Sequence, residues 1–176
     1  MSIKHYAERH GSSTILHYHL LLRAECVDSP KNTKEEQRYL NQGLTELIHD
    51  IGMRVVLPAR CFYVQDEGNE GWTGNAGLAT SHIAYHWWDK PDDKLIQNKE
   101  AKSLVQLDVY TCGDFGHKEV ARCIEWVDDY EIRLLSLVLL DRAKGFYKVA
   151  KTPDFYGSIK TNEYKEIAKL LVEDLQ

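Results

Sequence analysis

Two short stretches of the chain gather the side chains that could do chemistry. Between Thr73 and Trp88 lie a hydroxyl at Ser81, imidazoles at His82 and His86, and several aromatic rings. Between Asp108 and Asp114 a thiol, Cys112, stands at a strand end beside Gly113, where solvent and a ligand reach the backbone. Each feature alone has a plain structural reading. Two histidines four apart can share zinc on a helix, but the glutamate of H-E-x-x-H is missing and the segment reads as strand, so no metal is assigned. Ser81 has no G-x-S-x-G elbow around it. A single cysteine is more often a packed thiol than a nucleophile. Trp87 and Trp88 are more often core than ligand platform. Neither G-x-G-x-x-G nor a phosphate-binding loop occurs anywhere.

The elements that position these residues follow from hydrophobic periodicity. Thr14 to Ala24 reads as a mostly buried strand, ended by Asp28-Ser29-Pro30. Thr33 and Glu36 form a capping-box pattern, and the apolar residues from Tyr39 to Ile51 keep helical spacing up to Gly52, a left-handed terminator. Short strands are expected at 53–57 and 61–65, a turn at 66–71, one aromatic-rich strand from Leu78 to Trp88, and a loop from Asp89 to Ser103. Val105, Leu107 and Val109 alternate with polar residues as a half-buried strand. A helix over 118–127, a strand over 132–140, a short strand at 146–149 and a helix over 162–175 complete the chain. Strands fall in neighbouring groups and do not alternate strictly with helices. That pattern predicts an α+β fold, a largely antiparallel sheet with helices packed on one face.

At 176 residues the chain predicts one domain, 1–176, with 1–13 as a flexible lead and 150–176 as a C-terminal extension ending in a helix. A net charge of −5 argues against a general nucleic-acid binder. The longest apolar run, Leu134 to Leu140 around Ser136, is far below the ~20 residues of a spanning helix, so no membrane partner is expected. No signal-peptide pattern opens the chain, and the expected compartment is the cytoplasm. Cys26, Cys61, Cys112 and Cys123 form no C-x-x-C pair.

Taken together, the two stretches carry a more specific signal. Ser81-His82-Ile83-Ala84-Tyr85-His86-Trp87-Trp88, then Asp108-Val109-Tyr110-Thr111-Cys112-Gly113, resembles the prokaryotic S-adenosylmethionine decarboxylase family, with its E-S-H-x-[ST]-x-H-T-[WY]-P-E and D-[LV]-[FY]-T-C-G motifs. The likeness covers roughly residues 14–149. It implies a pyruvoyl cofactor made from Ser81 by self-cleavage at Thr80-Ser81. The Ser81 hydroxyl would attack the Thr80 carbonyl to form an ester. Loss of the α-proton, helped by His86, would expel the Thr80 carboxylate, and hydrolysis would leave the pyruvoyl group. Thr73 matches a family serine that supports ester formation, and Cys112 matches the proton donor of the later decarboxylation. The ketone would hold the substrate amine as a Schiff base and accept the electrons released with carbon dioxide. The implied function is decarboxylation of S-adenosylmethionine for spermidine synthesis, in a homodimer with residues of both protomers near each site.

Four departures from the pattern bear on that function. Thr80 replaces the family glutamate, Ala84 removes a hydroxyl, Trp87 replaces a small threonine, and Pro-Glu is displaced to Asp89-Lys90-Pro91-Asp92. Asp89 and Asp92 are therefore both candidates to grip the ribose. Phe62, Tyr63, Trp72 and Trp87 are candidates to face the sulfonium, whose charge favours aromatic rings. Two alternatives stand beside the main reading. One is a pyruvoyl-dependent decarboxylase of ornithine or arginine, motivated by Trp87 and the altered Pro-Glu region. The other is an unprocessed, non-enzymatic relative that binds a nucleoside-like ligand or a partner, motivated by Thr80. Strand alternation also puts Ser81 and His86 on opposite faces, so a shared site needs a bend, a bulge or the new chain end.

Overall fold

The computed structural model describes residues 16–79, 81–144, 148–159 and 161–175. Eight strands form one sheet: β1 (Tyr18–Cys26), β2 (Val55–Val64), β3 (Gly71–Leu78), β4 (Ser81–Trp88), β5 (Ser103–Thr111), β6 (Ile132–Asp141), β7 (Lys148–Lys151) and β8 (Phe155–Tyr156). Their order is β2-β3-β4-β5-β1-β6-β7, with β8 also paired to β6. Every pairing among the described residues is antiparallel. Three helices, α1 (Lys34–Asp50), α2 (His117–Asp128) and α3 (Thr161–Leu175), cover one face. The fold is thus the expected α+β arrangement.

Period-two alternation decides which side chains meet the helices. On β1, Leu20, Leu22, Ala24 and Cys26 are buried, and their partners on β5 and β6 share that face. Leu40, Leu44, Leu47 and Ile48 of α1, Val120, Ile124 and Val127 of α2, and Ile167, Ala168 and Leu171 of α3 close the core. Helix ends obey their local chemistry. Thr33 Oγ1 accepts from the Glu36 N–H at 3.1 Å. Glu36 does not complete the expected box: its carboxylate accepts from the Lys31 N–H and the Tyr130 hydroxyl, because the Thr33 N–H already donates to the Lys31 carbonyl. Gly52, at φ 72°, closes α1, with Gly52 N–H on His49 O and Met53 N–H on Ile48 O.

The sequence reading needs correction around the motif. The expected strands at 53–57 and 61–65 are one strand, β2, whose register shifts on either side of Leu57. The expected single strand from Leu78 to Trp88 is the second half of a hairpin: β3 runs to Leu78, which pairs with Ser81. β3 escapes the sequence pattern because it holds Gly71, Gly74 and Gly77. Two of these are sterically required. A Cβ on Gly71, at φ 148°, would lie 1.9 Å from the Trp87 carbonyl oxygen, and one on Gly74 would lie 2.3 Å from the Tyr85 ring. Residues 1–13, Thr80 and the expected strand residues Phe146 and Tyr147 lie outside the described residues. Residues 148–159 and 161–175 extend the same sheet and helix layer.

Trp87 and Trp72 sit on the helix face. Trp87 is 0% exposed, its Nε1 donates to Ser103 Oγ at 3.1 Å, and its ring meets Tyr130 edge-on at 4.5 Å. Trp72 is equally buried against Tyr63. Trp87→Ala should therefore lower unfolding stability by about 3–5 kcal/mol, the usual range for a large buried aromatic, read from the midpoint shift in urea.

Candidate active site

Among the described residues no helix lies on the opposite face of the sheet. Its outward residues include His19, Leu21 and Arg23 of β1, Asp108 and Tyr110 of β5, His82, Ala84 and His86 of β4, and Thr73 of β3. Leu21, Leu57, Phe62 and Val149 on this face are exposed. The loop 89–102 covers one corner. There the fully buried Glu25 carboxylate accepts from the Gln97 and Asn98 N–H groups and from Arg23, which also donates to the Leu95 carbonyl.

At the same end of their strands, Ser81 opens β4 and Cys112 follows β5. The Cys112 N–H donates to Ser81 Oγ at 3.3 Å. Cys112 Sγ donates to the Tyr110 hydroxyl at 3.6 Å, and that hydroxyl lies 3.1 Å from His17 Nδ1. Next to it, Asp108 bridges two imidazoles, His19 at 2.8 Å and His82 at 3.4 Å. Cys112 is the one half-buried cysteine; burial pushes the thiols of Cys26, Cys61 and Cys123 up and keeps them protonated.

His86 and Thr73 form a second group. They are direct partners across β3 and β4, and Phe62 on β2 continues the row beyond Thr73. The Thr73 hydroxyl donates to the Tyr85 carbonyl at 3.3 Å. The His86 ring lies 4.1 Å from Trp88, and its Nε2 is buried with no hydrogen-bond partner. Burial holds the His86 imidazole below its ordinary pKa, opposed by a hydrogen bond with the Asn69 backbone. A neutral imidazole with a free, buried nitrogen is suited to take up a proton. Asp89 follows β4 directly; one carboxylate oxygen accepts from the Tyr63 hydroxyl and the other is buried without a partner. Asp92 lies out in the loop, where it caps the Lys94 N–H.

The two groups are not adjacent within one chain. β4 pairs in regular register with β3 from Ser81 and with β5 from His82, so no bulge turns Ser81 towards His86. Five residues of extended strand separate them by about 17 Å. Four residues of the same strand, about 13 Å, keep His82 and His86 too far apart to share a metal ion. Trp72 and Trp87, expected as substrate platforms, are packed under the helices, away from either group. Sequence reasoning missed His17, Tyr110 and Asp108 as neighbours of Cys112. Tyr110 and Asp108 lay within the recognised motif, but His17 comes from the start of β1, and only the β1–β5 register brings it there.

Comparison with known proteins agrees with this arrangement. No curated protein matches the chain. A family model described as S-adenosylmethionine decarboxylase matches residues 19–127, from the first residues of β1 to the end of α2. That span covers more than half of the chain and contains Thr73, Ser81, His86 and Cys112. Among the described residues no helix is long and apolar enough to cross a membrane. With the paired motifs standing on neighbouring strands of an antiparallel α+β sheet, and the match spanning all of them, the chain belongs to the S-adenosylmethionine decarboxylase family.

Proposed function

We propose that this protein cleaves itself between Thr80 and Ser81 and then decarboxylates S-adenosylmethionine, supplying aminopropyl groups for spermidine synthesis. The observation that supports the reading is the contact between Ser81 Oγ and the Cys112 N–H at 3.3 Å: the two residues to which the motif likeness gives self-processing and proton donation are neighbours. The residues present fit a pyruvoyl group at position 81. Cleavage there opens a hairpin connection and leaves the pairing of Gly71–Leu78 with Ser81–Trp88 in place. Such a group supplies a ketone that binds the substrate amine and takes up electrons as carbon dioxide leaves. Cys112 then delivers a proton to the substrate carbon. The free carboxylate oxygen of Asp89 suits a ribose diol better than the exposed Asp92, and Phe62, beside Thr73 on the uncovered face, offers aromatic surface for the sulfonium, whereas Tyr63 is turned to the helix face against Trp72.

The 17 Å gap between Ser81 and His86 calls for a second protomer. Ester formation would break the Thr80–Ser81 amide and free the start of β4 from strand alternation; a two-fold axis through the uncovered sheet face would then set that end and Cys112 of one protomer against His86 and Thr73 of its partner, twice over. The exposed apolar residues of that face support such a homodimer. Trp87 no longer motivates an ornithine or arginine substrate, since its ring is core.

The test is a denaturing gel with intact mass, then release of labelled carbon dioxide from S-adenosylmethionine, ornithine and arginine. The expected result is two pieces, residues 1–80 and 81–176, the second blocked to N-terminal sequencing, with carbon dioxide from S-adenosylmethionine alone. A chain that stays at full length favours the non-enzymatic reading. Processing should also hold its rate as pH falls through about 6.5, the ordinary imidazole pKa, and slow only below it. The sign follows from His86: a lowered pKa keeps the free base present at more acidic pH. Gel densitometry of the precursor across pH 5–8 reads this, to an order of magnitude in proton concentration.

A further inference from the structure

Cys112 stands between two neighbours. Its backbone N–H holds Ser81 Oγ, and its Sγ donates to the Tyr110 hydroxyl at 3.6 Å. Beyond that hydroxyl, at 3.1 Å, is Nδ1 of the half-buried His17. Both ends of this short chain are fixed. The His17 carbonyl accepts from the Arg142 N–H at 2.7 Å, and the Arg142 guanidinium lies 4.8 Å from the centre of the Tyr110 ring. The ring also meets His17 and His19 edge-on and lies tilted over His82, and Asp108 ties those last two imidazoles together.

We infer that Tyr110 and His17 form a proton relay that restores the Cys112 thiol after each turnover. The inference rests on Cys112 being the donor. Once its proton has gone to the substrate carbon, a thiolate remains. Sγ then takes the Oη proton of Tyr110, Oη takes the Nδ1 proton of a His17 imidazolium, and the neutral imidazole recovers a proton from solvent. The phenol ends as it began and no charge stays on it. A hydroxyl is suited to this because it donates and accepts at the same oxygen. The hydrogen bond with Cys112, and then burial, push the Tyr110 phenol up, so it remains protonated between transfers. Histidine is suited to the outer position because its ordinary pKa lies near neutrality. Tyr110 and His17 act through Cys112 and are positioning residues.

The first readout needs no cofactor and no turnover. In the full chain carrying Ser81→Ala, Cys112 is alkylated with iodoacetamide at pH 7 and followed by intact mass; the other three cysteines are buried. Tyr110→Phe keeps the ring contacts and removes the hydroxyl that would donate to the thiolate. It should slow alkylation about tenfold, the scale of a hydrogen bond to a charged group. The second readout uses processed protein. His17→Gln should lower kcat about tenfold at unchanged KM, with added imidazole restoring most of it. Wild-type alkylation in Tyr110→Phe, or a His17→Gln loss that imidazole leaves unrestored, would overturn the relay. Failure of the donor assignment itself looks different: Cys112→Ala would then turn over normally.

Discussion

A His86→Ala chain co-expressed with a Ser81→Ala chain should be cleaved, although neither variant is cleaved alone. The expectation comes from distance. His86 Nε2 is a buried, unpartnered nitrogen on the uncovered sheet face, yet about 17 Å of regular strand lies between it and the Ser81 of its own chain. A proton cannot be removed across that gap, since general bases act within hydrogen-bond reach. In a mixed dimer, the intact Ser81 of the His86→Ala chain faces the intact His86 of the Ser81→Ala chain, and one of the two sites is whole. Thr73→Ala should fall in the same complementation group as His86→Ala, because Thr73 and His86 are direct cross-strand partners. Two tags, one per variant, and a gel of the doubly purified dimer read the result as present or absent. Mixed dimers that contain no cleaved His86→Ala chain would put the base in its own protomer and remove the two-chain site.

Cys112→Ala should reduce turnover by about 10²–10⁴-fold, the range for loss of a general acid, while leaving processing intact. In the proposed reaction processing would draw on Ser81 Oγ and His86, and the contact Cys112 gives Ser81 comes from its backbone N–H, which alanine keeps. Stability should fall by only about 1 kcal/mol, because the side chain is half-buried in a turn after β5. The contrast with Trp87→Ala is informative. That change should cost more stability than Cys112→Ala and act on the core beneath β4, far from the thiol. Carbon dioxide release, with a urea transition on the same preparation, separates the two effects. Normal turnover in Cys112→Ala would pass the donor role to another group.

Much of the fold is written in local pattern. The apolar alternation of β1 and β5, the spacing of Leu40, Leu44, Leu47 and Ile48, the cap at Thr33 and the left-handed Gly52 all follow from backbone geometry and burial over a few residues. So does the paired motif that identifies the family. β3 was not legible: its glycines look like a turn, and their reason is the closeness of Trp87 and Tyr85 on the neighbouring strand. The inward direction of Trp72 and Trp87 was hidden likewise, since which face of a sheet is covered depends on where α1 and α2 dock.

Local pattern carries most element types, the helix ends and the residue types that the chemistry would use. Which of these residues meet is set by strand register and helix docking. Register across β4, β5 and β1 brings Ser81, Cys112, Tyr110 and His17 into one chain of contacts. The same register leaves His86 and Thr73 five residues away. The physical reason is that a strand has a fixed rise and a fixed alternation, so positions five apart on one straight strand are held apart and turned to opposite faces.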